Sequence, residues 1–421
     1  MSAAEVGRQQ RALVIGAGII GACCASYLQR EGLQVEILDP EPPGSQCSFG
    51  NAGGICPGSC VPIAMPGMIR KVPEWLADPE GPLYVRLAYL PQAMPWIMRL
   101  LASGRRDRVE AISKAMRALH RLTFECYEPL LKAAGCEDLV ERHGQLFVYS
   151  NPANVAGDSY GMQLRRSAGV KVELLDEDEL RQLAPPLSRA FKRAVFLPEQ
   201  GQCRNPGRLV ETLVAHVVRQ GGTLTRGRAT AFDRDPDGRV RAVLTEGGGR
   251  VEADHVVVAA GAWSGKLARL LGSRVPLETE RGYHAMALGA DVGLKVQTIW
   301  AERKFVATPM EMGLRFAGTV ELAGLKAPPS YRRADILLKQ GREMLPTLQV
   351  GEVTRWMGHR PGLPDTIPVI SRSPRHRNVV YAFGHGHMGL IGGSVTGKLV
   401  SELVAGKQTS IDVTPYRVDR F

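Results

Sequence analysis

The sequence predicts an α/β protein of two domains, one assembled from separated stretches of chain and the other an α+β unit folded between them. Three observations carry the prediction. Residues 12–39 read as strand, glycine turn, helix and strand. Residues 254–261 form a second, strongly apolar strand that ends in small residues, and residues 378–384 a third, followed by another glycine-rich turn and a helix. The 421 residues exceed one compact core and suit about two domains. The discontinuous domain is expected from residues 1–67, 200–270 and 345–421, and the second from 68–199 and 271–344.

Each element has a local reason. Residues 12–15 are a short apolar run stopped by glycines, and the small and apolar residues of 19–30 suit a helix packed tightly on a sheet, with Gly32 at its C-terminal end. Residues 35–38 supply the next strand. Proline and glycine punctuate 40–67, which reads as a long functional loop or a series of turns. Leucine-rich helical patterns follow around 84–101 and 109–132, then strands at 144–149 and 170–175 separated by a polar helix. An amphipathic helix is expected at 206–220, strands near 223–231, 239–244, 250–259 and through 280–320, a helix at 331–345, and a last helix from about 395 to 404.

Composition narrows the function classes. The net charge is +11, but the basic residues come in short mixed clusters such as Arg105-Arg106-Asp107-Arg108, which suit a solvated surface. No aromatic-interleaved basic motif points to nucleic acid. The eight cysteines have no metal-ligand spacing, which favours a reduced, cytoplasmic setting. No apolar run reaches the ~20 residues of a membrane span. Arg11 and the apolar run after it have the order of a signal peptide, yet the glycine spacing there has a better explanation. The segment from Met94 to Ala102, apolar with basic neighbours, suits a buried helix face, with peripheral membrane contact as the alternative.

That explanation is Gly16-Ala17-Gly18-Ile19-Ile20-Gly21, lying between a strand and a helix. The first glycine permits a tight turn, the second lets backbone approach a pyrophosphate, and the third lets helix and strand pack closely. Asp39 ends the second strand 18 residues after Gly21, where a ribose hydroxyl needs an acceptor. Pro40 and Glu41 follow it and offer nothing to a 2′-phosphate, which argues against NADP. NAD and FAD share this Rossmann-like fingerprint. The strand ending at Ala260-Gly261-Ala262-Trp263 and the turn Gly384-His385-Gly386-His387-Met388-Gly389-Leu390 before a helix favour one long FAD threaded through a discontinuous domain.

With these motifs the sequence resembles the FAD-dependent amino-acid oxidoreductases of the D-amino-acid oxidase and glycine oxidase superfamily, and within it the D-amino-acid dehydrogenases. The resemblance also rests on Ser48-Phe49-Gly50-Asn51-Ala52-Gly53-Gly54, Arg281-Gly282-Tyr283 and Gly358-His359-Arg360-Pro361. It implies a D-amino-acid oxidase-like fold and oxidation of an amino acid by hydride transfer to flavin, with electrons passed to a quinone or to oxygen. A guanidinium matches a carboxylate bidentately, and the resemblance gives Arg360 that role toward the substrate. It makes Tyr283 a second anchor, with a core aromatic as the alternative, and places His387 over the flavin. The Ser48–Gly54 loop would wrap the flavin. In the related sarcosine oxidases the cysteine that attaches flavin lies late in the chain; here none follows Cys203, so non-covalent FAD is expected. A cyclic- or secondary-amine oxidoreductase, a subunit of a larger complex, and a flavin-binding subunit without turnover remain alternatives, and oligomeric state stays open.

Overall fold

The computed structural model describes residues 9–70, 72–157 and 159–421. The discontinuous sheet has six strands in the order Thr223–Arg226, Gln34–Asp39, Arg11–Ile15, His255–Val258, Val379–Phe383 and Val369–Arg372. All pairs are parallel except the last. Its central strands are buried on both faces, which is why they read as unbroken apolar runs. The helices Ile19–Arg30, Pro206–Arg219 and Gly389–Ala405 cover one face. A three-stranded antiparallel sheet and the helix Ser264–Leu270 cover the other.

The second sheet has nine strands, running from Val353–Gly362 and Glu278–Leu288 through Gly313–Leu322, Phe305–Met310 and Gln297–Trp300 to the strands at 145–149, 193–197 and 173–175. Leu83–Val85 adds to it beside Gly313–Leu322. One face packs on the helix Arg332–Met344, burying Tyr283, Phe316 and Leu337. The other face turns toward the first domain.

Three elements fall on the other side of the expected domain division. Val353–Gly362 pairs along its whole length with Glu278–Leu288 and so belongs to the second sheet. The helices Arg106–His120 and Thr123–Ala134 bury Ile112, Met116, Leu119 and Tyr127 in the core of the first domain. The last helix also starts at Gly389, six residues before the expected 395. Its glycines are packing contacts and not breakers: a Cβ on Gly397 would lie 2.5 Å from the Cys23 carbonyl oxygen of the first helix. Among the described residues no helix is long and apolar enough to cross a membrane.

Candidate functional site

A cavity of about 360 Å³ runs across the carboxyl ends of the parallel strands, where open α/β sheets bind ligands. Sixteen of the expected residues line it: Gly16, Gly18, Ile19, Ile20, Asp39, Pro40, Ser48, Asn51, Ala260, Gly261, Trp263, Gly384, His385, Gly386, Gly389 and Leu390. Three pieces of chain thus converge as the motifs require. The wall also includes Arg228 and Lys266, which no local motif marks.

The wall fits a dinucleotide. Gly16 has φ +119°, and a Cβ there would lie 2.4 Å from the Ala259 carbonyl oxygen, so only glycine makes this turn. Gly21 packs on the turn itself, its absent Cβ 1.8 Å from the Gly16 carbonyl oxygen, and so acts by helix packing away from the cavity wall. The Asp39 carboxylate accepts from Ala17 N at 2.7 Å and Glu41 N at 2.8 Å, while burial raises its pKa. Ser48 Oγ accepts from Ile19 N at 3.0 Å. The N-cap residues of the helices starting at Ile19 and Gly389, which are Gly18 and Met388, give no side-chain cap, so apart from the Ile19 amide held by Ser48 the helix starts keep amide donors and positive dipole ends toward the cavity. These residues would hold the pyrophosphate and ribose of FAD.

The loop leaves the cavity after Asn51. The Ala52 carbonyl accepts from Gln297 Nε2 and Thr308 Oγ1, both at 2.8 Å. Gly53 donates its N–H to Asn51 Oδ1, and Gly54 joins a short strand paired with Gly201–Cys203. Ala52, Gly53 and Gly54 therefore anchor the loop instead of lining the wall. Met388 likewise packs on the apolar core. Arg315, only 1% exposed, donates to the carbonyls of Phe49 and Asn51 and pins the loop to the second sheet. Burial pulls its pKa down to about 10.

Arg360 lies on the sheet face turned to this loop. Its register partner is Glu280, and its guanidinium covers Gly282, where a Cβ would be 2.0 Å from Cζ. Nη1 donates to the Thr319 carbonyl at 2.9 Å and Nη2 to the Gly318 carbonyl at 3.3 Å. Those acceptors sit where the strand register shifts, and Thr319 adopts φ +54°, unusual for a β-branched residue. The buried Thr319 hydroxyl has no partner. No carboxylate lies within ion-pair distance of Arg360 among the described residues, and burial lowers its pKa, opposed by Cys47 and Glu280. Cys47 does not neutralise it, because burial pushes that thiol up to about 11. Arg360 does not itself line the cavity, but its chain neighbours His359 and Pro361 do; a planar cation with spare donors, held by two carbonyls, has the geometry to pair a carboxylate at two points.

Tyr283 is not beside it. Strand alternation turns Tyr283 to the opposite face, where its hydroxyl donates to Glu321 and accepts from Ser330 N at 3.0 Å. Burial and Glu321 push its pKa to about 12. Arg281, on that same face, ties down the carbonyls of Gly324, Ala327 and Pro328. The expected second anchor is thus a satisfied core tyrosine.

The turn at 384–389 splits its two histidines. His385 faces its own helix through Thr396 Oγ1 at 2.8 Å, and burial pulls its pKa down to about 3. His387 turns to the second sheet, its Nε2 2.6 Å from Glu280 Oε2. Glu280 is 2% exposed, and no sequence motif singles it out.

Comparison with known proteins gives the family and the fold. A D-amino-acid oxidase of Bradyrhizobium diazoefficiens is 40% identical over 97% of this chain and 98% of its own. A D-amino acid dehydrogenase of Vibrio vulnificus is 28% identical over 98% of this chain and 99% of its own. Glycine oxidase from Geobacillus kaustophilus shares the fold, with TM-score 0.74, 21% identity, and coverage of 98% of this chain and 100% of that one. The family model for FAD-dependent oxidoreductases matches residues 11–403, and this chain belongs to that family.

Proposed function

We propose that this chain oxidises a D-amino acid to the imino acid, which water converts to a 2-oxo acid and ammonia, with FAD bound non-covalently. The observation that carries the reading is the Arg360 guanidinium, with spare donors and no acid within ion-pair distance among the described residues, between His359 and Pro361 of the cavity wall. Its fork would fix the substrate carboxylate and so hold Cα in one place. The 40% identical D-amino-acid oxidase supports the D configuration. The flavin, when bound, supplies the hydride acceptor. The protein's part is to hold the carboxylate, exclude water and present a neutral amine.

The test is anaerobic bleaching of the yellow protein by a panel of D- and L-amino acids with proline and sarcosine. Bleaching by primary D-amino acids supports the reading. Bleaching by proline or sarcosine alone would give the cyclic- or secondary-amine activity, and no bleaching by any of them would leave a flavin-binding subunit. Reoxidation by oxygen or by a soluble quinone then identifies the acceptor.

Peripheral membrane contact forms part of the proposal. Ile69, Leu87, Met94 and Met98 are 60%, 81%, 40% and 58% exposed, and the exposed Arg70, Arg86 and Arg99 lie in the same stretch. Apolar side chains amid cations suit an anionic lipid surface. Co-sedimentation with anionic but not neutral vesicles is expected, and its absence defeats this part.

A further inference from the structure

We propose that His387 accepts the proton which the substrate ammonium must lose before hydride can leave Cα, and that Glu280 is the residue that positions it. The inference deepens the activity proposed above and rests on it. A free amino acid arrives at neutral pH with its amine protonated, and an ammonium has no lone pair to assist hydride departure. Something beside Arg360 must take that proton.

The structure brings Glu280 and His387 together beside Arg360. Glu280 is the register partner of Arg360 on the same face of the sheet, so the carboxylate and the fork are neighbours. Its Oε2 takes the His387 Nε2 hydrogen bond at 2.6 Å, while Oε1 is buried without a partner. Oε1 lies where a Cβ on residue 362 would come within 2.3 Å, so Gly362 makes room for the carboxylate. Burying a carboxylate in this way is costly unless it is matched to a donor or a cation. With Oε2 as the acceptor of this bond, Nε2 of His387 is the donor and Nδ1 is the nitrogen left with a lone pair. No hydrogen bond to Nδ1 occurs among the described residues, and 35% of the His387 side chain is open. Gly386 and Gly389, on either side of it in the turn, line the cofactor cavity, while His387 itself lies behind that wall against Glu280.

The step balances simply. One ammonium N–H bond breaks and its proton moves to Nδ1 of His387, giving an imidazolium that Glu280 stabilises. The amine keeps the electron pair. A bound flavin would supply the two-electron acceptor for the hydride that leaves Cα as the C=N bond forms.

Other ionisable groups surround the pair. Arg360 and Glu278 are in electrostatic contact with Glu280. Cys47 faces Arg360, and the Tyr89 hydroxyl is bonded to Glu278. His359 lines the cavity edge-on to Trp263 and is hydrogen-bonded to Thr279, Arg281 points to the opposite face, and His385 is turned to Thr396. None of these is hydrogen-bonded to His387; among the described residues its hydrogen-bond partner is Glu280.

The experiment is the pH profile of anaerobic flavin reduction, from about pH 6 to 10, by the panel member that reduces the wild-type holoenzyme fastest. His387→Gln is expected to lose about 100-fold near pH 7, within the range of general-base effects. The loss should shrink as pH rises, because the amine then arrives already neutral. Glu280→Gln should lose about tenfold and move the acid limb to lower pH, since the imidazolium loses its anionic partner. Normal flavin stoichiometry qualifies each variant, and the Glu280→Gln profile decides the matter if His387→Gln does not retain flavin. A loss that is the same at pH 7 and pH 10, or an acid limb that does not move in Glu280→Gln, overturns the inference while the amino-acid activity stands. If no amino acid reduces the wild-type protein, both fall.

Discussion

Replacing Gly282 by alanine should damage substrate oxidation without touching the flavin. The backbone of Gly282 is not in the left-handed region, so the new methyl brings no backbone strain. It would, however, sit 2.0 Å from Cζ and Nη2 of Arg360 and 2.5 Å from Nε. Carbon needs about 3.5 Å, so the fork must retreat by about 1.5 Å. That breaks the bonds at 2.9 Å to the Thr319 carbonyl and at 3.3 Å to that of Gly318, which now fix its direction. A misplacement of about 1 Å costs on the order of 100-fold, or about 2.7 kcal/mol of transition-state stabilisation. The assay is stopped-flow reduction of the holoenzyme by a D-amino acid and by the matching amine without its carboxylate. Only the amino acid should slow by about 100-fold. An unchanged rate, or equal slowing with both, would refute the assignment of Arg360 to the carboxylate.

Arg360→Lys keeps a charge but loses the two-point geometry, and kcat/KM should fall about 30- to 1,000-fold with normal flavin content; an undiminished value would make the residue structural. Gly18→Val should be purified colourless, because a branched Cβ projects into the cavity beside Ser48 Oγ, 3.4 Å from where it starts, and stoichiometric flavin in that variant would contradict the cofactor placement. Burial pulls the pKa values of His120 and His359 down to about 4 and of His284 and His385 down to about 3, from 6.5. Each therefore takes up a proton on unfolding, so stability rises with pH through the window from about 3 to 6.5 and is lost as pH falls through it. Denaturant titrations at pH 7, 6, 5 and 4 should show that loss, with a shallower slope for His385→Gln; a flat profile would mean that these rings are not held neutral.

Local chemistry made the cofactor side legible. Gly16, Gly18 and Asp39 act within a single strand–turn–helix–strand unit, and their spacing states their purpose. The loop at 48–54 was half legible: its glycines announce backbone contact, but only tertiary structure shows that Ala52, Gly53 and Gly54 turn away to Gln297, Thr308 and the short strand at 201–203. The late start expected for the last helix has a similar cause. Glycines that break an isolated helix are here the close contacts that seat it on Cys23.

The substrate side depends on register, and register is not local. Arg360 was found through its motif, yet which residues share its face depends on Glu280 pairing with Arg360 across two strands separated by more than 60 residues. A slip of one residue exchanges the two faces of a strand. In that alternation the conspicuous pair, Arg281 and Tyr283, goes to the core, where one ties down a loop and the other bonds Glu321. The inconspicuous Glu280, between them and the preceding strand end, goes to the site. Gly282 belongs with Glu280: it is the gap through which the guanidinium lies flat on the sheet. The motif Arg-Gly-Tyr therefore marks the site by its glycine, while its two larger residues build the wall behind.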